Sequence, residues 1–300
     1  MKAALPKGTY VPLVTPFTPQ GKIDIKSLDT VIERLLKANV EAVVVLGTTG
    51  ESPTVNSEES VALIRHTIAR MQGDTAVIAG IGTNDTASSL EQAKVARDLG
   101  VDGLLVVCPY YSKPTQKGLF DHFKLIAEQV PVPQIVYNIA GRTGINIEAD
   151  TLFKLSQLQN IVGVKESSDN IDQASQLLQL LDDEFLVLCG CDHLNFSMLC
   201  LGGHGVISTV ANVIPEKVKA LVDAVHCDDI QTARQLHFAI EPLVTGCSME
   251  TNPIPIKTAL AMMGEIREVF RPPLCTMTPH NRSRLSTVLE QIDLINQSIR

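Results

Sequence analysis

Residues 76–107 read AVIAGIGTNDTASSLEQAKVARDLGVDGLLVV, and this stretch decides the fold class. It opens on the short apolar run Ala76 to Ile81 and turns through Gly82, Thr83, Asn84 and Asp85. It then carries apolar residues at three- and four-residue spacing from Thr86 to Leu99 before a second run, Gly103 to Val107. A short β-branched run bounded by turn residues predicts a strand, and the longer spacing predicts an amphipathic helix. Asp85 or Thr86 offers an acceptor to the first helical amides, and Gly100 offers the left-handed residue that closes the helix. The stretch is therefore one parallel strand-helix-strand unit.

Outward from it the same alternation recurs. Further strands are expected at Tyr10 to Val14, Ala42 to Leu46, Gln134 to Tyr137, Ile161 to Lys165, Phe185 to Cys189 and Gly205 to Ser208. Helices are expected at Ser27 to Ala38, Ser57 to Met71, Gln116 to Val130, Glu148 to Leu155, Ile171 to Leu181, Asn195 to Leu201 and Pro215 to Val225. Ser57 stands as the cap of its helix, with no Glu at the place that would complete a capping box, and Gly202 closes another helix as Gly100 does. Eight units of roughly 27 residues over about 225 residues suit an α/β (β/α)₈ barrel of the TIM type, which typically runs to about 250. A doubly wound sheet would need a glycine fingerprint in its first turn. Gly80-Ile81-Gly82 begins one, but Asp85 stands where the last glycine belongs, on the third element. After Val225 only helical patterns follow, near Asp229 to Val244, Pro255 to Met263 and Thr278 to Ile299. Residues 1–225 are thus expected to form the catalytic barrel and 226–300 a C-terminal helical region.

Composition limits the function classes. With 45% hydrophobic and 19% charged residues in 300, the chain buries a large core and is not disordered. Its 25 Lys and Arg against 33 Asp and Glu leave a net charge of -8, so no basic field gathers phosphate backbones and nucleic acid is excluded as a partner. No apolar run reaches the ~18 to 20 residues of a membrane helix, and Met1 to Gly8 lack a signal peptide's apolar region, so no membrane partner and a soluble, cytoplasmic chain are expected. Seven cysteines do not resemble a secreted disulfide framework. Cys108, Cys189 and Cys200 read as reduced core thiols. Cys189 and Cys191 with His193 lack zinc or redox spacing, and no metal is expected.

Reactive groups in such a barrel belong at the carboxyl ends of the strands. The sixth strand is Ile161-Val162-Gly163-Val164-Lys165-Glu166, and period-two alternation puts Lys165 on the side of Ile161 and Gly163. Facing inward, its ammonium pays a desolvation penalty that favours the neutral, nucleophilic amine, a candidate for Schiff-base formation with a ketone or aldehyde. The alternative is a strand-end lysine that snorkels into solvent. The second strand ends in Gly47-Thr48-Thr49-Gly50-Glu51-Ser52-Pro53, whose amides suit a carboxylate, although a plain polar turn reads the same way. Tyr137 ends the fifth strand as a candidate general acid and base or a wall residue. Arg142, in a glycine-flanked loop, either holds a second carboxylate or makes a surface ion pair. Cys108-Pro109-Tyr110-Tyr111-Ser112-Lys113-Pro114 after the fourth strand is a stiff, prominent loop for the pocket or for another subunit.

The Gly-Thr-Thr-Gly-Glu loop, the Pro-Tyr-Tyr loop, Tyr137 before Arg142-Thr143-Gly144, Lys165 before Glu166, Gly202-Gly203-His204-Gly205-Val206-Ile207-Ser208 and Asn252-Pro253-Ile254-Pro255 together resemble the dihydrodipicolinate synthase family of pyruvate-dependent (β/α)₈ lyases. The resemblance runs from about Gly8 to the C-terminal helices. It implies that Lys165 forms an imine with pyruvate, that Thr48, Thr49 and the Ile207 backbone receive the pyruvate carboxylate, and that Tyr137 moves the protons. It further implies that Thr48 and Tyr111 complete a relay, with Tyr111 from a neighbouring subunit, and that Arg142 holds the carboxylate of aspartate semialdehyde. The implied product is 4-hydroxy-tetrahydrodipicolinate, the first committed step of diaminopimelate and lysine biosynthesis, with no cofactor and no metal. The implied assembly is a homotetramer built as a dimer of dimers and required for activity.

Within the superfamily the runner-up is another pyruvate aldolase, such as N-acetylneuraminate lyase or a 2-keto-3-deoxy sugar acid aldolase; Thr48 and the Arg142-Thr143-Gly144 run favour the synthase. From another class stands a catalytically silent barrel that binds a keto acid. Ala140 and Gly141 depart from the family's usual proline and small residue before the arginine. Ser57, Ser60 and Ser88, beside Ser52, Pro53, Asn84 and Tyr110, stand where lysine-inhibited members carry histidine and glutamate. Lysine feedback is therefore expected to be weak or absent.

Overall fold

Eight parallel strands close on themselves in sequence order in the computed structural model, which describes residues 5–71 and 75–295. They are β1 (Gly8–Pro12), β2 (Ala42–Val45), β3 (Ala76–Ile81), β4 (Gly103–Val107), β5 (Gln134–Asn138), β6 (Ile161–Glu166), β7 (Leu186–Cys189) and β8 (Gly205–Ile207). Helices follow the strands: α1 (Ile25–Lys37), α2 (Ser57–Arg70), α3 (Thr86–Leu99), α4 (Gln116–Gln129), the single turn α5 (Ala140–Thr143), α6 (Ala149–Ser156), α7 (Ile171–Leu180), α8 (Asn195–Cys200) and α9 (Pro215–His226). Three more cross the carboxyl end of the barrel or pack beside it: α10 (Ile230–Cys247), α11 (Ile254–Met262) and α12 (Pro279–Gln291). The chain is a (β/α)₈ barrel with C-terminal helices.

The strands read as nearly continuous apolar runs because both faces are buried. One set of side chains, among them Tyr10, Val44, Ile78, Leu105, Ile135, Leu188 and Ile207, fills the barrel interior. The alternate set, including Val43, Val106, Val136, Val164 and Val187, packs beneath the helices. Closure occurs where β8 meets β1, Gly8 opposite Gly205. At Gly205, with φ of +156°, a Cβ would lie 2.0 Å from the Gly8 carbonyl oxygen, so two glycines let the backbones meet there.

Several elements differ from the sequence expectations in instructive ways. α2 is capped by Asn56, not Ser57: its side chain accepts from the Glu59 amide at 2.9 Å, while Glu59 accepts from the Asn56 amide at 3.1 Å, a complete capping box one residue earlier. β1 begins at Gly8 because that glycine makes the closing contact, and its ladder ends at Pro12. α12 ends at Gln291, where Ile292 leaves helical geometry, short of the expected Ile299; positions 296–299 lie outside the described residues, as do Met1 to Ala4. All seven cysteines are free, and Cys200, expected in the core, is exposed at the end of α8. Among the described residues no helix is long and apolar enough to cross a membrane.

Candidate active site

Lys165 owes its position to an irregularity. Between β5 and β6 the register runs Gln134 to Ile161 and then Ile135 to Gly163, so Val162 is an extra residue and the strand shifts by one. The consequence corrects the simple alternation: Ile161 packs in the outer layer, while Val162 faces the interior and Lys165 follows on the inward side. Past the bulge Tyr137 lies directly opposite Lys165, and the lysine Nζ sits 4.3 Å from the centre of the tyrosine ring. Lys165 is only 5% exposed, and among the described residues it makes no ion pair.

The neighbouring strand makes room for it. A Cβ on Gly190, just past β7, would lie 2.6 Å from Lys165 Cε and 1.9 Å from the Ser167 hydroxyl oxygen, so only glycine leaves the lysine stem its channel. Behind the sheet the carboxylate of Glu166 accepts from Asn138 Nδ2 at 3.0 Å, Gln173 Nε2 at 3.0 Å and the Ser168 amide at 2.7 Å. That buried network ties the ends of β5 and β6 together one residue beyond Tyr137 and Lys165.

Opposite the lysine, the chain leaving β2 bends sharply, with Leu46 at φ of +61° and Glu51 at +55°. Thr15 Oγ1 pins the bend by donating to the Gly50 carbonyl at 2.7 Å. Thr48 and Thr49 are thereby presented to the cavity, and Thr49 Oγ1 accepts from Asn252 Nδ2 at 3.0 Å. Arg142, on α5, reaches across to donate to the Asn252 carbonyl at 3.0 Å and to Thr251 Oγ1 at 3.3 Å.

These groups border one cavity of about 180 Å³. Lys165, Tyr137, Thr48, Thr49 and Arg142 all line it. Ile207 does not; its side chain is buried in the barrel interior below. Tyr111 is not brought to the cavity by its own chain: it is 88% exposed, with φ of +70°. A non-glycine residue in that region stores strain of roughly 1–3 kcal/mol unless its surroundings hold it.

Sequence reasoning missed part of the lining. Asp192 and Thr209 come from just past the ends of β7 and β8, Val244 and Cys247 from α10, and Ser248 and Asn252 from the connection between α10 and α11. Burial raises the Asp192 pKa, against the opposing pull of the Ser208 hydroxyl, the Val210 amide, the Asn195 side chain and Lys165. Its carboxylate accepts from the Thr209 and Val210 amides at 3.0 and 3.1 Å, which satisfies the turn after β8. The Asn252 Oδ1 is buried beside the cavity without a hydrogen-bond partner among the described residues. Asn252 was visible in the Asn-Pro-Ile-Pro motif; no local pattern marked Val244, Cys247 or Ser248.

Chemically the site combines a buried primary amine, a phenol stacked against it, two hydroxyls on a strained loop and a guanidinium at the rim. Such a set suits covalent capture of a small oxo acid with proton transfer alongside. Among the described residues no group of three or more His, Cys, Asp or Glu is arranged to hold a metal ion.

The model of the Dihydrodipicolinate synthetase family matches residues 5–292. A 4-hydroxy-tetrahydrodipicolinate synthase of Thermodesulfovibrio yellowstonii is 44% identical over 289 residues, 96% of this chain and 99% of that protein. A crystal structure of dihydrodipicolinate synthase from Aquifex aeolicus superimposes with a TM-score of 0.94 at 43% identity, covering 97% of this chain and all of that one. The chloride-inhibited dihydrodipicolinate synthase of Acinetobacter baumannii, complexed with pyruvate, superimposes with a TM-score of 0.94 at 36% identity over 96% of this chain and 99% of that one.

Proposed function

The chain belongs to the dihydrodipicolinate synthetase family, and from that membership we propose how its residues condense pyruvate with L-aspartate 4-semialdehyde to give 4-hydroxy-tetrahydrodipicolinate. This lyase reaction opens diaminopimelate and lysine biosynthesis, and relatives of the same activity match nearly the full chain. They do not favour the neuraminate or sugar-acid aldolase readings, nor a silent keto-acid-binding barrel.

Lys165 attacks the keto carbon of pyruvate, and the carbinolamine loses water to leave a protonated imine. Tyr137, stacked on the amine, donates the proton that leaves with that water and then removes one from the methyl group. The resulting enamine carbon attacks the aldehyde of the second substrate, whose amine closes the ring on the imine carbon and releases Lys165. Thr48 and Thr49, with the Ile207 backbone, receive the pyruvate carboxylate, and Arg142 binds the carboxylate of the semialdehyde. Thr48 and the Tyr111 of a neighbouring subunit relay protons to Tyr137. The exposure and left-handed backbone of Tyr111 support a residue held by a partner chain, within a homotetramer made as a dimer of dimers. Residues 1–225 act as the catalytic barrel and 226–300 as the helical region that roofs it, in a cytoplasmic enzyme.

One observation carries this reading: a buried amine with no carboxylate partner among the described residues, opening on a cavity beside a phenol. Borohydride reduction in the presence of pyruvate tests it. The intact protein should gain the mass of one reduced pyruvate per chain, mapped to Lys165; an adduct elsewhere, or none, refutes the assignment.

A further inference from the structure

A second buried lysine takes no part in the chemistry above. Lys257, in α11, has a fully buried side chain and forms an ion pair with the equally buried Glu51, 206 positions earlier. Its Nζ also donates to the Val269 carbonyl at 2.8 Å and lies 4.4 and 4.9 Å from the ring centres of Phe17 and Phe270. The second Glu51 oxygen accepts from the Arg271 amide at 3.3 Å. The Arg271 guanidinium covers the other side of this cluster, 4.3 Å from the Phe17 ring, with both carboxylate oxygens of Glu59 at 2.6 and 2.7 Å.

Burying two charges costs several kcal/mol each, and well-packed apolar residues of the same size commonly serve stability as well or better. The pair therefore contributes direction more than stability. Glu51 closes the bent loop that carries Thr48 and Thr49, and its amide donates to the Thr48 carbonyl at 3.1 Å. The segment leading into α11 bonds that same loop through Asn252 and Thr49, and accepts from Arg142. α11 and the turn before it thus grip the loop at two points, through an ion pair at Glu51 and the Asn252 amide at Thr49.

We propose that the Lys257–Glu51 pair is a positioning device that holds the Thr48–Thr49 loop at its working distance from Lys165 and so sets the affinity for the oxo acid. The inference rests on the reaction assigned above. Its test is the double variant Lys257→Met with Glu51→Gln, which leaves no orphan charge, compared with the wild-type enzyme for thermal unfolding, for borohydride trapping at limiting pyruvate and for the two Michaelis constants. The KM for pyruvate should rise about tenfold and trapping at limiting pyruvate should slow in proportion, while the KM for the semialdehyde moves less than about twofold. Pyruvate affinity unchanged in the folded double variant, or both constants raised equally, overturns the proposal. Should that double variant not fold, Lys257→Leu with Glu51→Met, which likewise leaves no unpaired buried charge, carries the same expectation and the same refutation. Failure of the wild-type enzyme to trap pyruvate would instead remove the reaction assignment, so the two failures are distinguishable.

Discussion

Gly190→Ala is a small change with a large expected effect. The Gly190 amide donates to the Glu166 carbonyl at 2.8 Å, so the backbone is pinned where the new methyl appears. That methyl would stand 1.9 Å from Ser167 Oγ, 2.6 Å from Lys165 Cε and 3.0 Å from Lys165 Cγ. The serine hydroxyl escapes by rotating about its own bond. The lysine stem cannot, being enclosed by the barrel, and its Cε must retreat by about 0.8 Å to regain a 3.4 Å contact. Displacing a reacting group by about 1 Å costs on the order of 10²-fold in rate, or about 2.7 kcal/mol of transition-state stabilisation. The overpacking itself costs about 1–3 kcal/mol of fold stability, a melting temperature lowered by a few degrees. Borohydride trapping and coupled turnover, both run well below the melting temperature, should therefore show a folded protein with kcat/KM down about 100-fold. Adding Ser167→Ala removes the closest approach but leaves the lysine displaced, so it should restore little. A kcat/KM within about threefold of wild type, or full recovery on adding Ser167→Ala, refutes this account of how the lysine is aimed.

Other perturbations separate the roles of the remaining groups. Lys165→Ala should abolish the pyruvate adduct, whereas Arg142→Ala should keep the adduct and lose most semialdehyde turnover; mass spectrometry and a coupled assay read the two separately, and equal adduct in the lysine variant ends the imine mechanism. His122 is held neutral by burial, its pKa lowered to about 4 from 6.5 with Asp85 opposing, so its contribution to stability is complete above pH 6.5 and is lost as pH falls toward 4. That loss amounts to at most about 3 kcal/mol, and His122→Leu should flatten the dependence of unfolding free energy on pH between 7 and 4; an unchanged slope counts against it. Lysine should inhibit weakly, because the Ser60 and Ser88 hydroxyls are spent on Asn56 and Asp85, and Glu59 is tied to Arg271. Half-maximal inhibition at sub-millimolar lysine contradicts that expectation.

Much of the fold was legible in the chain because local periodicity reports local structure. Ala76 to Ile81, Gly103 to Val107 and Thr86 to Leu99 have the bounds their patterns imply, since turn residues on each side stop the pattern where the hydrogen bonding stops. The misassigned α2 cap shows the limit: Asn56 and Ser57 are both good caps, and the reciprocal bond from Glu59 decides between them. Strand ends also pointed to side chains that the structure gathers around one cavity, because in a parallel barrel every carboxyl end faces the same mouth.

By itself the sequence determined the barrel and its eight strands through periodic spacing, and it pointed to the amine, the phenol and the paired threonines through short motifs that together resemble a known family. Only the tertiary structure decided that Val162 is an extra residue that breaks the count from Ile161 to Lys165, and that the cavity is lined by Cys247 of α10 and by Asn252 in the turn before α11, both outside the strand pattern. It alone brought Lys257 to Glu51. Contacts between residues some 200 positions apart leave no periodic trace, and the burial that gives a charge its energetic weight exists only once the chain has closed around it.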